Sequence, residues 1–381
     1  MNVGWRQSFF GVTAVVCVCA LSVVSLRSQA APAQSQMADE VFENVQVLKG
    51  LTVDQFMEVM GMFAAATTKD CSGCHDKNVL WESRDYFKVT TPLIQRARQM
   101  IVMTNTINRT YFGGDARVTC FTCHNAADVP QRSSDLAVQY GTPPPFNSTQ
   151  PVLPYEDPNG DPAPVFARHI EAIGGAQAAA ATTSLVGTGT YSGWDTSRAP
   201  VPFDLYTGAP GQLTGIAHRR EGDIKMVSSG EEAWLASVDG IIPLLEYTGD
   251  NRVGLRHEAV ATAASHMIEA EFAEWKYADD FFGDDHVSVL QGQNEGQSPV
   301  NFYFDDDGML VRFVRWNETP VGPVPTQLDF SDFREVAGVI RPFKIVRTWT
   351  NNQAEMIIEN FEANGAIDPA MFQRPDPAGL R

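Results

Sequence analysis

Two pentapeptides, Cys71-Ser72-Gly73-Cys74-His75 and Cys120-Phe121-Thr122-Cys123-His124, constrain this chain more than any other feature. Each is a C-x-x-C-H signature of covalent c-type haem attachment. Two thiols three residues apart reach the two vinyl groups of one porphyrin, and the His that follows stands under the iron as its proximal ligand. Every cysteine outside the N-terminal leader lies in one of these two copies. The pattern predicts two covalently bound haem c groups, attached through Cys71, Cys74, Cys120 and Cys123 and ligated by His75 and His124. A four-cysteine zinc ribbon and a disulfide pair are the alternatives. Zinc pairs usually sit closer together in sequence, and neither structure needs a His after each second Cys.

Residues 1–30 read as a secretory signal, with Arg6 as the charged start, Phe9 to Leu26 as the apolar stretch and Ser28-Gln29-Ala30 as the cleavage site. An uncleaved anchor is the alternative, because the apolar stretch nearly spans a bilayer. Cys17 and Cys19 lie in this leader without the preceding small residue that lipid attachment needs. Export suits c-type haem and places the chain in the periplasm or on the outer face of the cytoplasmic membrane. Beyond the leader the chain has 26 basic and 46 acidic residues, a net charge of −20. That charge opposes nucleic acid and anionic lipid. It allows a redox partner such as a basic soluble cytochrome, and equally it serves solubility alone.

With 381 residues the chain is expected to form more than one domain. The assignment is a mainly α haem domain at 38–130, a Pro-rich linker at 131–164 and a β-rich domain at 165–381. In the first, Thr52 and Gln55 form a capping box, and Leu51 with Phe56 a hydrophobic staple. Phe56, Val59, Met60 and Phe63 follow on one helical face. Met60 lies eleven residues before Cys71, where its thioether can reach a haem iron, with Met57 and Met62 as local competitors and core filler as the plain alternative. A second helix starts at Thr91-Pro92 and carries Leu93, Ala97, Met100, Ile101 and Ile107 as a stripe expected to be buried, with Met100 and Met103 ahead of the second motif.

These residues resemble the cytochrome c subunit of photosynthetic reaction centres. The likeness runs through Asn44-Val45-Gln46-Val47-Leu48-Lys49, Met60, the first motif, Ala97 to Thr104, Ile107-Asn108 and Val118 to His124, roughly residues 40–130. It implies Met60 as distal ligand of the first haem and Met100 of the second. Reaction-centre subunits of that family carry four haems, whereas this chain carries two motifs. The family also uses a His between the Met helix and the motif, and residues 109–119 here contain none. Met103 and a distant His stay open as ligands of the second iron.

After the linker a helix runs from Val165 to the Gly174-Gly175 stop. Strands are expected at 184–191, 213–218, 224–227, 232–236, 286–291, 300–304, 309–314, 326–330, 343–349 and 356–361, interrupted by a helix over 258–277. Asp307-Gly308 reads as a tight hairpin. The pattern gives an α+β domain with a curved antiparallel sheet, an open or half β-barrel, and is similar to the LolA-type lipoprotein carriers. His169, His218, His257, His266 and His286 are expected to be structural or at the surface, and the Asp clusters at 279–285 and 305–307 to be solvated turns.

The sequence thus points to an exported dihaem electron carrier rather than an enzyme. Two other classes remain: a haem oxidoreductase or peroxidase with one open iron, and a redox-sensing module that binds a lipid or protein partner. Membrane association is expected only through an uncleaved leader or a membrane electron-transfer complex.

Overall fold

Alternating apolar and polar residues in the C-terminal half build one antiparallel sheet. The computed structural model describes residues 35–80, 87–130, 133, 151–153, 156–282 and 285–380. The expected signal segment and most of the expected linker lie outside the described residues. The strands are β1 Leu185–Ser192, β2 Val201–Thr207, β3 Gln212–Ala217, β4 Ile224–Ser229, β5 Ala233–Ser237, β6 Leu244–Glu246, β7 Glu274–Phe282, β8 Asp285–Gln293, β9 Val300–Asp305, β10 Leu310–Thr319, β11 Gly322–Val336, β12 Val339–Trp349 and β13 Asn352–Ala363. They run in the order β6-β5-β4-β3-β2-β1-β13-β12-β11-β10-β9-β8-β7. Every neighbouring pair is antiparallel. The first and last strands meet in the middle, so the sheet is two meanders joined along β1 and β13.

The helices are α1 Ala38–Val41, α2 Val53–Thr67, α3 Cys71–Cys74, α4 Pro92–Tyr111, α5 Cys120–His124, α6 Ala163–Ala172, α7 Ala176–Ala181 and α8 Gly249–Ala263. Sheets this wide curl rather than stay flat. Helix α8 fills the curve, touching β3 and β4 on one side and β10 on the other. Its Val260 and Ala261 join Phe302, Phe304, Phe313, Phe330 and Ile345 in the largest apolar core. Glu258 of α8 is buried there with two guanidinium groups, Arg315 Nε at 2.7 Å and Arg347 Nε at 3.0 Å. A buried carboxylate is tolerated only when its partners offset the lost hydration, and here two cations do so.

The sequence reading holds for most strands and for the hairpin, where Gly308 has φ +86° and Asp305 Oδ1 accepts from Met309 N at 2.7 Å. The expected helix over 258–277 is corrected. The helix begins nine residues earlier at Gly249 and ends at Ala263, a 3-10 turn covers Ser265–Glu271, and β7 follows. The helix formers around Ala270 mislead because β7 pairs with β8 along its whole length, from Glu274↔Gln293 to Phe282↔Asp285; tertiary pairing overrides local propensity. Strand β2 was hidden by Pro202, which sits opposite Thr190 and uses its carbonyl to accept from His218 N at 2.9 Å. The described part of the expected linker lies on the sheet: Leu153 is buried against Val287 and Trp316, and Gln291 Nε2 donates to Pro151 O at 3.0 Å.

Helix α2 docks the motif region on the sheet. Val59 and Met62 pack with Leu48, Ile101 of α4, and Val321 and Val324 of the β10–β11 hairpin. Thr52 Oγ1 meets Thr248 Oγ1 at 2.8 Å. Two residues on, buried Asp54 accepts from Thr248 N at 2.6 Å through Oδ2, while its Oδ1 has no partner.

Candidate haem-attachment site

Each C-x-x-C-H stretch folds as a single capped helical turn. Asp70 caps α3, its Oδ1 accepting from Gly73 N at 3.0 Å. Thr119 caps α5 with Thr122 in a reciprocal box, each side chain taking the other's backbone N–H, at 3.2 and 3.0 Å. Such caps hold the backbone donors that a free turn would leave unpaired. A helical turn also sets both cysteines of a pair on one side, three residues apart.

Neighbouring elements then fix each turn. Thr91 Oγ1 donates to Cys74 O at 2.6 Å and accepts from Ile94 N at 3.2 Å, so one hydroxyl both caps α4 and tethers the first motif. Asn108 is buried, donates Nδ2–H to Val118 O at 2.8 Å, and accepts Val118 N–H at 2.8 Å. It grips the backbone immediately ahead of the second motif as a partner strand would. Gly322 brings the β10–β11 turn against the same place: its φ is +123°, and a Cβ there would lie 2.5 Å from Thr119 Cγ2. Lys69 Nζ reaches Asp128 at 3.0 Å, and Ala127 N donates to Ala66 O at 3.2 Å. The exit of the second motif is thereby fastened to the end of α2.

The two histidines differ. His124 Nδ1 lies 3.0 Å from Ala127 O. That contact assigns the proton to Nδ1 and leaves Nε2 as the free lone pair. His75 packs edge-on against Phe87, ring centroids 4.9 Å apart, and its Nδ1 is buried without a partner. Burial lowers its pKa and keeps the imidazole neutral, the form that binds a metal. The four motif thiols are free. Burial raises Cys71 and Cys74 and pushes Cys120 up to about 11. Among the described residues no three His, Cys, Asp or Glu gather closely enough to hold an ion, so the two pairs do not form one zinc cage.

Helix α4 shows where a flat apolar group fits. Its buried face is Ile101, Thr104 and Asn108, while Leu93, Met100, Val102 and Met103 are exposed. The stripe expected to be buried is therefore buried at Ile101 and open at Leu93 and Met100. Phe112 and Phe121 are exposed as well. Open apolar side chains and paired thiols fit haem c on both turns, and the first also has the orphaned Nδ1 of His75. Of the methionines, Met62 is buried in the α2 core. Met60 is half-buried on the same cluster, which also takes Cys120 of the second motif, and Met100 is 40% exposed. Sequence reading missed Asn108 and the second role of Thr91. The motif-like spacing Thr91-Pro92 gave the cap, but no local signal marks a side chain that grips backbone ten or seventeen residues away.

Capped C-x-x-C-H turns on a helical scaffold define a c-type cytochrome region. Residues 11–141 are similar to the family described as photosynthetic reaction centre cytochrome C subunit. Over 105 residues the chain is 36% identical to the photosynthetic reaction center cytochrome c subunit of Roseobacter denitrificans, covering 25% of this chain and 27% of that one. It is 34% identical over 115 residues to the subunit of Rubrivivax gelatinosus, covering 27% and 30%. The chain thus spans about a third or less of the length of these curated relatives. Among solved structures it overlays 55% of its length on 97% of a LolA superfamily protein from Nitrosomonas europaea, at 10% identity and a TM-score of 0.34. Among the described residues no helix is long and apolar enough to cross a membrane.

Proposed function

We propose that the protein is an exported dihaem c-type cytochrome that carries electrons and turns over no substrate. The observation behind this reading is the pair of capped C-x-x-C-H turns beside a helix whose apolar side lies open. Cys71, Cys74, Cys120 and Cys123 attach the porphyrins, His75 and His124 are proximal ligands, and Met60 and Met100 are the distal ones. The haems supply one-electron chemistry when bound. The chain's residues hold them, shed water from the irons and set the potentials through ligand and burial. Residues 38–130 are the haem unit and 165–381 the β-rich unit that carries it, joined by 131–164. The net charge of −18 favours a basic redox partner, and the likeness to reaction-centre subunits supports a membrane electron-transfer complex as the other. Periplasmic placement follows from covalent haem and the leader.

The test is the intact mass and pyridine haemochrome of full-length protein exported from a host with cytochrome maturation. Two haems per chain are expected; bare polypeptide or bound zinc overturns the reading. Met60→Ala should remove a sulfur-to-iron absorption band and lower one potential while both haems stay attached. Carbon monoxide binding to the native reduced protein would instead identify an open iron and an oxidoreductase.

A further inference from the structure

We propose that the pocket at the C-terminal end of α8 binds one small monovalent anion, a halide or a lone carboxylate group, between the guanidinium of Arg341 and the ring of His266. The pocket is bounded by α6, the Ser265–Glu271 turn and β12, away from the haem motifs. Arg341 is 5% exposed. Its Nη1 donates to Ala263 O at 2.8 Å, and its Nε has no partner. Among the described residues no carboxylate bonds it.

The other buried guanidinium groups show what this one lacks. Arg315 and Arg347 share the Glu258 carboxylate at 2.7 and 3.0 Å. The fold supplies a counter-ion there and only a peptide carbonyl to Arg341. A helix C-terminus offers about half a negative charge, which leaves much of a buried cation uncompensated. Burial lowers Arg341 to about 10, so it is still charged at neutral pH.

The walls select the ligand. His169 faces the pocket with both nitrogens already used, Nδ1 at 2.9 Å from Gly308 O and Nε2 at 2.9 Å from Ser265 Oγ. Burial holds it down to about 4, so it is neutral. His266 is half-buried, and burial together with the charge of Arg341 lowers its pKa. An anion between the two would accept from the Arg341 guanidinium and from a ring N–H of His266. The remaining lining includes Leu310, Phe330 and Phe333, and the cavity is about 20 Å³, room for one water-sized ion. Apolar walls favour weakly hydrated ions, so bromide should bind better than fluoride.

The test uses the full-length protein with both haems attached. Its melting temperature is measured in sodium bromide, formate, acetate and fluoride at equal ionic strength, which cancels general screening. Bromide should raise the midpoint by about 2 °C over fluoride once it is roughly tenfold above its dissociation constant. A rise with formate but not acetate identifies a carboxylate site, and a rise with bromide alone a halide site. Arg341→Met should abolish the increment and His266→Gln should weaken it several-fold. A bromide-soaked crystal should show anomalous density beside Arg341. Equal midpoints in all four salts, an increment that survives in Arg341→Met, or empty density beside Arg341 overturns the proposal and leaves Arg341 as a helix cap only. If Arg341→Met does not fold, the bromide density decides.

Discussion

Helices α4 and α8 carry their apolar residues in opposite ways. Helix α8 buries Leu255, Ala259, Val260 and Ala261 together with the polar Asn251, His257 and Glu258. Helix α4, longer by five residues, buries Ile101, Thr104 and Asn108 and leaves Leu93, Met100, Val102 and Met103 exposed. The partner of α8 is the sheet, and the chain encodes it in full. Among the described residues α4 packs on one side, Ile101 on the α2 cluster with the β10–β11 hairpin and Asn108 on the segment leading into α5, while its other apolar direction is open. A helix with one packed and one open apolar direction is suited to a non-protein partner, and under the proposed function that partner is haem. The sheet side should therefore respond to substitutions as an ordinary core does, and the α4 side should respond through the haems.

Glu258→Ala should give the largest effect and mark the sheet side. It removes the carboxylate that bonds both Arg315 and Arg347, a loss of about 3–5 kcal/mol. Chemical denaturation should show that loss with the haem spectrum of the folded protein unchanged. A spectral change of the same size would mean that the two sides are one cooperative site.

Asp54 tests the junction between them. Burial pushes its carboxyl up to about 7. In the unfolded chain an aspartic acid loses its proton near pH 3.9, so between about 4 and 7 the native state binds the extra proton. Stability should fall as pH rises through that window, by up to about 1.4 kcal/mol per unit, and this contribution should level off above 7. Asp54→Asn keeps the acceptor for Thr248 N and removes the titration, so its stability profile should be flatter by that amount. An unchanged profile would place the titration elsewhere.

Asn108 probes the α4 side. Asn108→Ala leaves the Val118 N–H and C=O without their partner, at about 1–3 kcal/mol. Hydrogen exchange should speed at Val118 to His124 and not in α8.

What was legible follows from the range of the forces. The Thr52–Gln55 box, the Thr91-Pro92 start and the Asp305–Met309 hairpin are made by residues within four positions of one another, and sequence reading found all three. The open or half-barrel sheet was legible from alternation, since one buried face sets a period of two. Helix α8 was misplaced because its first turns, Gly249 to Arg256, bury only Asn251, Gly254 and Leu255 and show no apolar stripe. Its ion pairs join residues 57 and 89 positions apart. The two C-x-x-C-H motifs stand out in the sequence because covalent haem attachment demands that spacing, whereas the residues that hold the motifs in place do not. Asn108 grips backbone ten residues away and Gly322 makes room for the side chain of Thr119 from a distant hairpin, and neither contact leaves a local mark in the sequence.

Thr91 gives the smallest effect and the finest separation of the two haem turns. Its hydroxyl closes α4 at Ile94 N and holds Cys74 O, and the Val118 grip of Asn108 serves only the second turn. Thr91→Val keeps the volume and removes both bonds. Loss of an N-cap costs about 1 kcal/mol, a small change in midpoint for a chain of this size. The sharper readout is local. The Cys74 carbonyl loses its donor, so the first turn should loosen while the second keeps its box, its Asn108 grip and its Gly322 contact. A redox titration should then broaden or shift the wave of one haem and leave the other in place. Thr91→Ser restores the hydroxyl and should restore that wave. Equal shifts of both waves would show that α4 couples the haems as a rigid unit, and that the separate fastening of the turns does not set their potentials.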